Sequence, residues 1–529
     1  MCGFVVVSDV SENASEMFAQ DFRKLDHRGP DDHQLVAFPK GLIGFHRLAI
    51  MDLSDHGRQP FQSSLSNMLV CNGEIYNYSE LKFSCSDHKF ISTSDCEVLL
   101  PLYEKWGLKK MVESLDAEYA LVIWDQELGT LVAARDPMGI RPLFYGKTKS
   151  GSMAFASEVK ALLDFCDEIT PFPPGHFFDG ENFYSYLDLG TVEKFHELST
   201  PDILKGINSR LVSAVEKRLQ SDAEVGFLLS GGLDSSLVCA IAQKLNPNKP
   251  IRTFSIGMPN DAIDSKYAQE VATFIGANHI NVTMTEKDVL EALNTVVWHL
   301  ETWDITTIRA SIGMYLVCKY IKENTNIKVL LTGEVSDELF GYKYTDFAPS
   351  ASEFQKEAQK RVRELYLYDV LRADRSISAH SLEARVPFSD SEFVKFVMAI
   401  RPELKMNTTG IGKFLLREAF KTDGLLPESI LWREKAAFSD AVGHSMVDEL
   451  KAFADAKYSS EDVESASEKY PYKSPFTKES LLYREIFESF YPNRAKLITD
   501  YWMPNSSWDN CKVSDPSARV LPNYGQSGK

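Results

Sequence analysis

The sequence predicts a protein of two parts, one α+β and rich in β-sheet, the other α/β and built on a parallel sheet with crossover helices. Three observations lead to this fold class. The 529 residues exceed what one hydrophobic core holds, so at least two domains are expected. Short apolar runs separated by turns fill the first 160 residues. Beyond residue 200, apolar runs alternate with helical patterns, which is typical of a parallel sheet.

Six apolar runs predict the strands of the N-terminal part. They are residues 4–7, 42–45, 68–71, 119–124, 131–134 and 153–156. Turn residues such as Gly129 and Gly151 separate neighbouring runs. Two helical patterns, near 14–24 and 96–105, interrupt the series. These elements place the first domain at residues 1–190.

Residues 171–201 are rich in proline and glycine and predict the domain boundary toward their C-terminal end. The patterns that follow are a helix at 203–219, strands at 225–229 and 252–256 around a helix at 235–244, a strand at 329–331, and mostly helical stretches at 290–322 and 353–372. This alternation places a second domain at 191–505. Residues 506–529 have little apolar periodicity and are a candidate flexible tail.

Composition and charge narrow the function classes. A formal net charge of −18 argues against nucleic acid or an anionic membrane as the main partner. The eight cysteines are scattered without a C-x-x-C pair, which favours a reducing compartment over a zinc site or a disulfide framework. The sequence shows neither a signal peptide nor a membrane span. We therefore expect a cytoplasmic enzyme or binding protein.

Cysteine is the second residue of the chain. Removal of Met1, which the small side chain of Cys2 permits, would leave a thiol and a free α-amino group on one residue. An α-amine with a pKa of roughly 7.7 to 8.0 is a suitable base for a thiol whose pKa is about 8.5. The ordinary alternative is a small apolar residue that leads into a buried strand. Local sequence alone favours that alternative, so other motifs must decide.

A glycine-serine loop at residues 230–236, Ser-Gly-Gly-Leu-Asp-Ser-Ser, joins a predicted strand to a predicted helix. Its glycines admit a phosphate close to the backbone, and the helix N-terminus adds positive potential. Asp234 would repel phosphate unless a cation intervenes, which implies Mg²⁺. A helix-capping turn is the alternative, but seven fitting residues disfavour it, and the loop lacks the Walker A pattern. The loop resembles the pyrophosphate loop of the ATP pyrophosphatase superfamily.

An acidic cluster at residues 332–338, Thr-Gly-Glu-Val-Ser-Asp-Glu, follows the predicted strand at 329–331. The carboxyl ends of parallel strands meet at one edge of a sheet, so this cluster should face the same crevice as the loop at 230–236. Solvated surface charge is the alternative. Metal binding or contact with a substrate amine is favoured opposite a phosphate loop, and Asp234 and Asp337 would then share the magnesium ion.

With these motifs, the chain resembles glutamine-hydrolysing asparagine synthetases over nearly its whole length. Its N-terminal part is similar to class II glutamine amidotransferase domains through Cys2, His-Arg-Gly-Pro-Asp at 27–31, Arg-Leu-Ala-Ile-Met-Asp at 47–52, Asn-Gly-Glu-Ile-Tyr-Asn at 72–77, Ser-Asp-Cys-Glu at 94–97 and Arg-Asp-Pro-Met-Gly at 135–139. Its C-terminal part resembles the synthetase domain through residues 230–236, 306–311, 332–338, 382–388 and 432–435.

The resemblance implies an N-terminal αββα sandwich of the N-terminal nucleophile hydrolase type and a C-terminal adenine nucleotide α-hydrolase-like domain with additional helices. It also implies asparagine synthesis from aspartate, glutamine and ATP through β-aspartyl-AMP, with AMP, pyrophosphate and glutamate as the other products. Ammonia would pass between the domains through an internal tunnel. The expected assembly is a homodimer.

The resemblance also implies residue roles in the first domain. Cys2 would attack the glutamine amide while its α-amine moves the proton, and Asn72 and Gly73 would hold the oxyanion. Arg47 would bind the substrate carboxylate. The remaining implied contacts with glutamine are Leu48, Ala49, Ile50, Met51, Glu74 and Asp95.

In the second domain, the implied ATP-binding residues are Leu229, Ser230, Gly231, Gly232, Asp234, Ser235, Ile256, Thr332 and Gly333. Glu334 would act in forming β-aspartyl-AMP, and Arg385 and Lys435 would neutralise aspartate or pyrophosphate. Thr332 and Val335 depart from the serine and glycine of many members. Two alternatives stay open: an amidotransferase acting on another carboxylic acid or a sugar, and a glutamine or ATP sensor without turnover.

Overall fold

Three β-sheets organise the structure, a computed structural model that describes residues 1–9, 15–259, 263–434 and 444–524. Two antiparallel sheets of six strands are formed within the first 185 residues. One parallel sheet of five strands lies between residues 225 and 385. The predicted fold class is confirmed.

The N-terminal strands form two sheets with the orders β10-β8-β9-β1-β3-β2 and β12-β11-β7-β6-β5-β4. The strands are β1 (Gly3–Ser8), β2 (Asp32–Phe38), β3 (Gly41–Arg47), β4 (Phe61–Gln62), β5 (Met68–Ile75), β6 (Ala117–Asp125), β7 (Thr130–Arg135), β8 (Phe144–Thr148), β9 (Met153–Ala156), β10 (Cys166–Pro171), β11 (His176–Phe178) and β12 (Phe183–Ser185). The helices are α1 (Ser15–Arg23), α2 (Tyr78–Phe83) and α3 (Leu99–Glu113).

The alternation of side chains along β1 explains how helices and sheets are layered in the first part. Phe4 and Val6 point into a cluster between the two sheets, with Val122 of the second sheet. Val5 points the other way and packs with Phe18 of α1. Because successive side chains of a strand face opposite sides, an all-apolar strand can be buried between a sheet and a helix. The same logic places α3 on the outer face of the second sheet, so the layers run helix, sheet, sheet, helix.

The parallel sheet has the order β15-β14-β13-β16-β17. Its strands are β13 (Val225–Leu228), β14 (Arg252–Gly257), β15 (Asn278–Thr283), β16 (Val329–Leu331) and β17 (Glu383–Arg385). The chain moves outward from β13 through β14 to β15 and returns to the other side of β13 as β16. The loops after β13 and β16 therefore flank a topological switch point, where α/β sheets bind ligands.

The helices of the second part cover both faces of this sheet and extend beyond it. They are α4 (Thr200–Arg218), α5 (Leu233–Leu245), α6 (Ile263–Ile275), α7 (Glu286–Leu300), α8 (Ile305–Asn324), α9 (Ser336–Phe340), α10 (Ala351–Glu364), α11 (Asp369–Ser378), α12 (Ser391–Met398), α13 (Pro402–Lys405), α14 (Phe414–Phe420), α15 (Glu428–Leu431), α16 (His444–Lys457), α17 (Ser460–Lys469) and α18 (Lys478–Phe490). None of the helices within the described ranges is long and apolar enough to cross a membrane.

Buried ion pairs join the two parts. Arg28 donates to Glu158 at 2.7 Å within the first part and to Asp374 of α11 at 2.9 Å. Arg375 pairs with Glu158 at 2.7 Å and with Glu301 at 2.8 Å. Removing one partner of such a network typically costs about 3–5 kcal/mol, because the remaining charge stays buried. The boundary at residues 190 and 191 stays a prediction.

Candidate active sites

Cys2 lies directly before β1, whose pairing with β3 sets Gly3 opposite His46. This register brings the thiol to the end of β3, where the backbone N–H of Leu48 lies 3.4 Å from the Cys2 sulfur. Met1 precedes Cys2 and is fully buried, and its ammonium donates to the carbonyl of Leu382 at 3.0 Å. With Met1 in place, burial raises the pKa of the Cys2 thiol to about 11.

Asn72 and Gly73 occupy the end of β5. The Asn72 side chain is fully buried, and neither its oxygen nor its nitrogen has a hydrogen-bond partner among the described residues. A buried amide left unpaired costs about 1–3 kcal/mol, so this one is held ready for a ligand. A side chain at Gly73 would come within 2.6 Å of the Glu118 carbonyl oxygen. The unpaired amide fits an oxyanion site, whereas the lack of a side chain at Gly73 lets β5 approach β6 closely.

Arg47 and Asp95 have fixed orientations. Arg47 donates to the carbonyl oxygens of Ser54, at 2.7 Å, and Asp52. The Asp95 carboxylate accepts from the backbone N–H of Ile75 at 2.7 Å, which holds it beside the end of β5. Burial raises the pKa of Asp95 to about 6. The site thus has a guanidinium suited to a carboxylate and a carboxylate suited to an ammonium group.

The segment 48–51 lies beside the thiol. Leu48 and Ile50 are buried, and the backbone N–H of Ala49 donates to Asp31 at 2.8 Å. Met51 is half-buried and packs against the same apolar cluster as Leu48. The predicted glutamine contacts at 47–51 therefore form one wall next to Cys2.

Glu74 and Arg385 are brought together across the two parts. Arg385, at the end of β17, is fully buried and lies 2.9 Å from Glu74 and 2.9 Å from Glu383. Its side chain does not line the cavity beside the loop at 230–236. This placement differs from the expected contact of Arg385 with aspartate or pyrophosphate, which stays a prediction, and it pairs Arg385 with Glu74, which was expected to bind the glutamine ammonium group.

A cavity of about 220 Å³ lies at the switch point between β13 and β16. Most predicted nucleotide residues line it: Leu229, Ser230, Gly232, Asp234, Ser235, Ile256, Thr332, Gly333, Glu334 and Asp337. Gly231 lies in the same loop with φ 72°, and a side chain there would come within 2.5 Å of the backbone of Ala268. The loop and the acidic cluster therefore face one cavity, as the strand-end rule predicts.

Lys413 joins the two predicted metal ligands. Its Nζ lies 2.7 Å from Asp234 and 2.7 Å from Asp337, and 3.0 Å from the Ser336 hydroxyl. Asp234 also accepts from Ser336 at 2.7 Å. Lys413 is buried, so its charge acts in a medium that screens it weakly. Within the described residues, the two carboxylates thus converge on the Lys413 ammonium group in the cavity.

Glu334 and Arg372 form a weaker pair, with their closest atoms 3.4 Å apart. The other carboxylate oxygen of Glu334 is buried without a hydrogen-bond partner among the described residues. Arg372 is also held by Asp369 at 2.9 Å. Glu334 therefore has one oxygen available toward the cavity that it lines.

Val335 has φ 80°, in the left-handed region that favours glycine. It is buried, so replacement by alanine or glycine removes similar packing. Glycine relieves the strain and alanine does not. We expect Val335→Gly to exceed Val335→Ala in free energy of unfolding by about 1 kcal/mol, the reverse of the usual order. Urea denaturation measures this difference, and an alanine variant that is the more stable would contradict it.

Sequence reasoning missed Lys413 and gave Arg372 and Arg433 no separate roles. Arg433 donates to the Gly231 carbonyl at 3.0 Å and to Asp264 at 2.8 Å, which ties it to the phosphate loop. The glycines at 410 and 412 before Lys413 were the available signal, since they mark a loop that carries a basic residue. Lys435 lies outside the described residues, so its predicted role stays a prediction.

The fold joins a domain of two stacked antiparallel sheets, with Cys2 directly before its first strand, to a domain with a parallel sheet and a cavity at its switch point. Two known protein families match the sequence of this chain. The glutamine amidotransferase domain family matches residues 1–183, and the asparagine synthase family matches residues 206–355 and 346–515.

Relatives match the chain over nearly its whole length. The probable glutamine-hydrolysing asparagine synthetase of Acanthamoeba polyphaga mimivirus is 42% identical over 94% of this chain and 95% of its own. The glutamine-hydrolysing asparagine synthetases of Cricetulus griseus and Homo sapiens are each 38% identical over the full length of both chains. A solved structure of the allosteric regulatory enzyme of purine biosynthesis covers 54% of this chain and 80% of its own at 16% identity, with a TM-score of only 0.31. The chain belongs to the family of glutamine-hydrolysing asparagine synthetases.

Proposed function

We propose that this enzyme makes asparagine from aspartate, with glutamine as the nitrogen donor and ATP converted to AMP and pyrophosphate. One observation carries the proposal: a half-buried thiol site and a phosphate-loop cavity occur in one chain and are joined by the Glu74–Arg385 pair across their boundary. An amidase alone does not need the cavity, and an ammonia-dependent synthetase does not need the thiol.

At the first site, Cys2 would attack the amide carbon of glutamine. The α-amine freed by loss of Met1 would take the thiol proton and pass it to the leaving ammonia. Asn72 and Gly73 would stabilise the oxyanion, and water would then release glutamate from the thioester. Arg47 and Asp95 would hold the substrate carboxylate and ammonium groups. The structure favours Asp95 over Glu74 for the ammonium group, because Glu74 is paired with Arg385.

At the second site, the β-carboxylate of aspartate would attack the α-phosphorus of ATP and release pyrophosphate. Ammonia would then attack the carbonyl carbon of β-aspartyl-AMP, and AMP would leave. Lys413 would hold the phosphates in place, and Glu334 would act in forming the adenylate. Both groups line the cavity. An internal tunnel would carry ammonia between the sites.

Magnesium fits this cavity. The described residues contain no group of three or more His, Cys, Asp or Glu side chains able to hold a metal by themselves. Magnesium is usually held by one or two carboxylates plus phosphate and water, so Asp234 and Asp337 suffice. The ion would neutralise charge on the phosphates.

A homodimeric assembly and a cytoplasmic location stay predictions from the sequence.

The deciding experiment supplies the full-length enzyme with aspartate, glutamine and Mg-ATP. Asparagine, glutamate, AMP and pyrophosphate in equal amounts are expected. Formation of ADP, or the absence of asparagine, would contradict the proposal. A panel of other carboxylic acids, assayed by pyrophosphate release, tests whether aspartate is the preferred acceptor.

Loss of Met1 is a separate prediction. The α-amine of Cys2 exists only after this cleavage, and the thiol beside Met1 has a pKa raised to about 11. We expect the intact mass of the purified active enzyme to be lower than that of the full sequence by one methionine residue. An active enzyme that retains Met1 would show that the base is another group.

The pH dependence of glutamine use should report Asp95. Burial raises the pKa of this carboxyl to about 6, so it is charged above that pH and neutral below it. Only the charged form binds the substrate ammonium group. We therefore expect kcat/KM for glutamine to fall as the pH drops through about 6. Asp95→Asn should have low activity that no longer falls as the pH drops through this pKa. Thermal midpoints measured across the same pH range distinguish loss of substrate binding from unfolding.

A further inference from the structure

The C-terminal segment 505–524 is packed against the synthetase part. Trp508, Cys511 and Leu521 are buried, and Trp508 stacks on Tyr344 with ring centroids 6.0 Å apart. The Asn523 amide donates to the carbonyl of Lys343 at 2.7 Å. Tyr344 lines the nucleotide cavity, so the segment supports that wall from behind.

The same segment reaches the cavity itself. Residues 516–518 line it, together with Arg309 in the first turns of α8. Arg309 donates to Asp515 at 2.9 Å and to the hydroxyl of Ser517 at 2.7 Å. Glu479 of α18 also accepts from Arg309, with its Oε1 at 2.7 Å from Nε. Elements far apart in sequence thus hold one buried guanidinium.

These contacts fix the guanidinium. Asp515 also accepts from the backbone N–H of Ser517 at 2.8 Å and pairs with Lys451, so the carboxylate is itself fixed. Burial opposes the charged form of Arg309, yet Glu479 and Asp515 raise its pKa above the usual value. Charge-assisted bonds of this kind are short and directional.

We propose that the C-terminal segment is a working part of the synthetase site, in which Asp515 and Ser517 are positioning residues that, with Glu479, aim Arg309 at the anionic acceptor. The proposal rests on the proposed function, since it assigns Arg309 to the acceptor of that reaction. Misplacement of an aligned donor lowers the rate of the chemical step more than it weakens substrate binding.

The test compares Asp515→Asn with a matched control, Arg519→Gln. Arg519 lies four residues further along and pairs with Asp448 on the surface, so its loss loosens the segment without touching Arg309. With added ammonia, Asp515→Asn should lower kcat at least about tenfold while KM for aspartate changes less than about threefold. Arg519→Gln should stay within about twofold of the wild type, and Ser517→Ala should show a smaller loss in kcat than Asp515→Asn.

Glutaminase activity and thermal midpoints establish that each variant is folded. Equal losses in Asp515→Asn and Arg519→Gln, or wild-type kcat in Asp515→Asn, overturn the positioning role. Pyrophosphate and asparagine are measured separately. If the wild type releases pyrophosphate without making asparagine, aspartate is not the acceptor. The positioning role is still tested in that case, because pyrophosphate release can be compared between Asp515→Asn and Arg519→Gln with whichever acceptor supports it.

Discussion

Replacement of Cys2 by alanine is expected to abolish glutamine-dependent synthesis and to leave synthesis from added ammonia within about twofold of the wild type. The Cys2 thiol is the proposed nucleophile toward the amide carbon, and losing a nucleophile typically costs at least about 10³-fold. Among the described residues that line the synthetase cavity, none is one of the predicted glutamine-binding residues. Glutamate release and asparagine formation, measured with each nitrogen source, test both halves of this prediction.

The matched control for this variant is Cys85→Ala. Cys85 is buried in the same domain, within the cluster under α3 and away from the Cys2 wall. It should retain glutaminase activity. Loss of both activities in folded Cys2→Ala would show that the two half-reactions are not separable. Full glutamine-dependent synthesis in that variant would exclude Cys2 as the nucleophile.

The strands next to the two sites were predictable from the sequence, because their apolar runs lead directly into the residues that carry the proposed chemistry. The strand predictions at 4–7, 225–229 and 329–331 lie on β1, β13 and β16, each an unbroken apolar run between turns. The strand-end rule then placed the loop at 230–236 and the cluster at 332–338 at one cavity. Short strands such as β11 and β17 were missed, since three residues give no periodicity to detect.

Side-chain partners at the domain boundary were not predictable from sequence. Arg385 belongs to a motif of the resemblance, but the direction of its side chain depends on the pairing of β17 with β16 and on the approach of β5. A motif supplies the residue type and not the face on which it lies. The same limit applies to the C-terminal segment, which is held because Trp508 stacks on Tyr344 and Asp515 accepts a hydrogen bond from Arg309.

Replacement of Lys413 by glutamine is expected to lower ATP-dependent synthesis by at least about 100-fold with either nitrogen source, and to leave glutaminase activity unchanged. Lys413 lies 2.7 Å from both Asp234 and Asp337 in a buried setting. Its loss leaves two carboxylates close together without their shared cation, at the place where phosphates must bind. A preorganised charge at a transferring phosphoryl group is worth several kcal/mol, which corresponds to this loss in rate.

The control for Lys413 is Lys421→Gln, because Lys421 lies at the other end of helix α14 and pairs with Glu418 at 3.1 Å on the surface. That variant should keep wild-type synthesis. Mg²⁺ gives a second measure: with the lysine gone, the site at Asp234 and Asp337 is more negative and attracts the metal more strongly, so the Mg²⁺ dependence of Lys413→Gln should shift to lower concentrations. A variant with wild-type kcat would show that Lys413 only balances charge in the free enzyme. Loss of glutaminase activity as well would place Lys413 in the contacts that hold the two parts together.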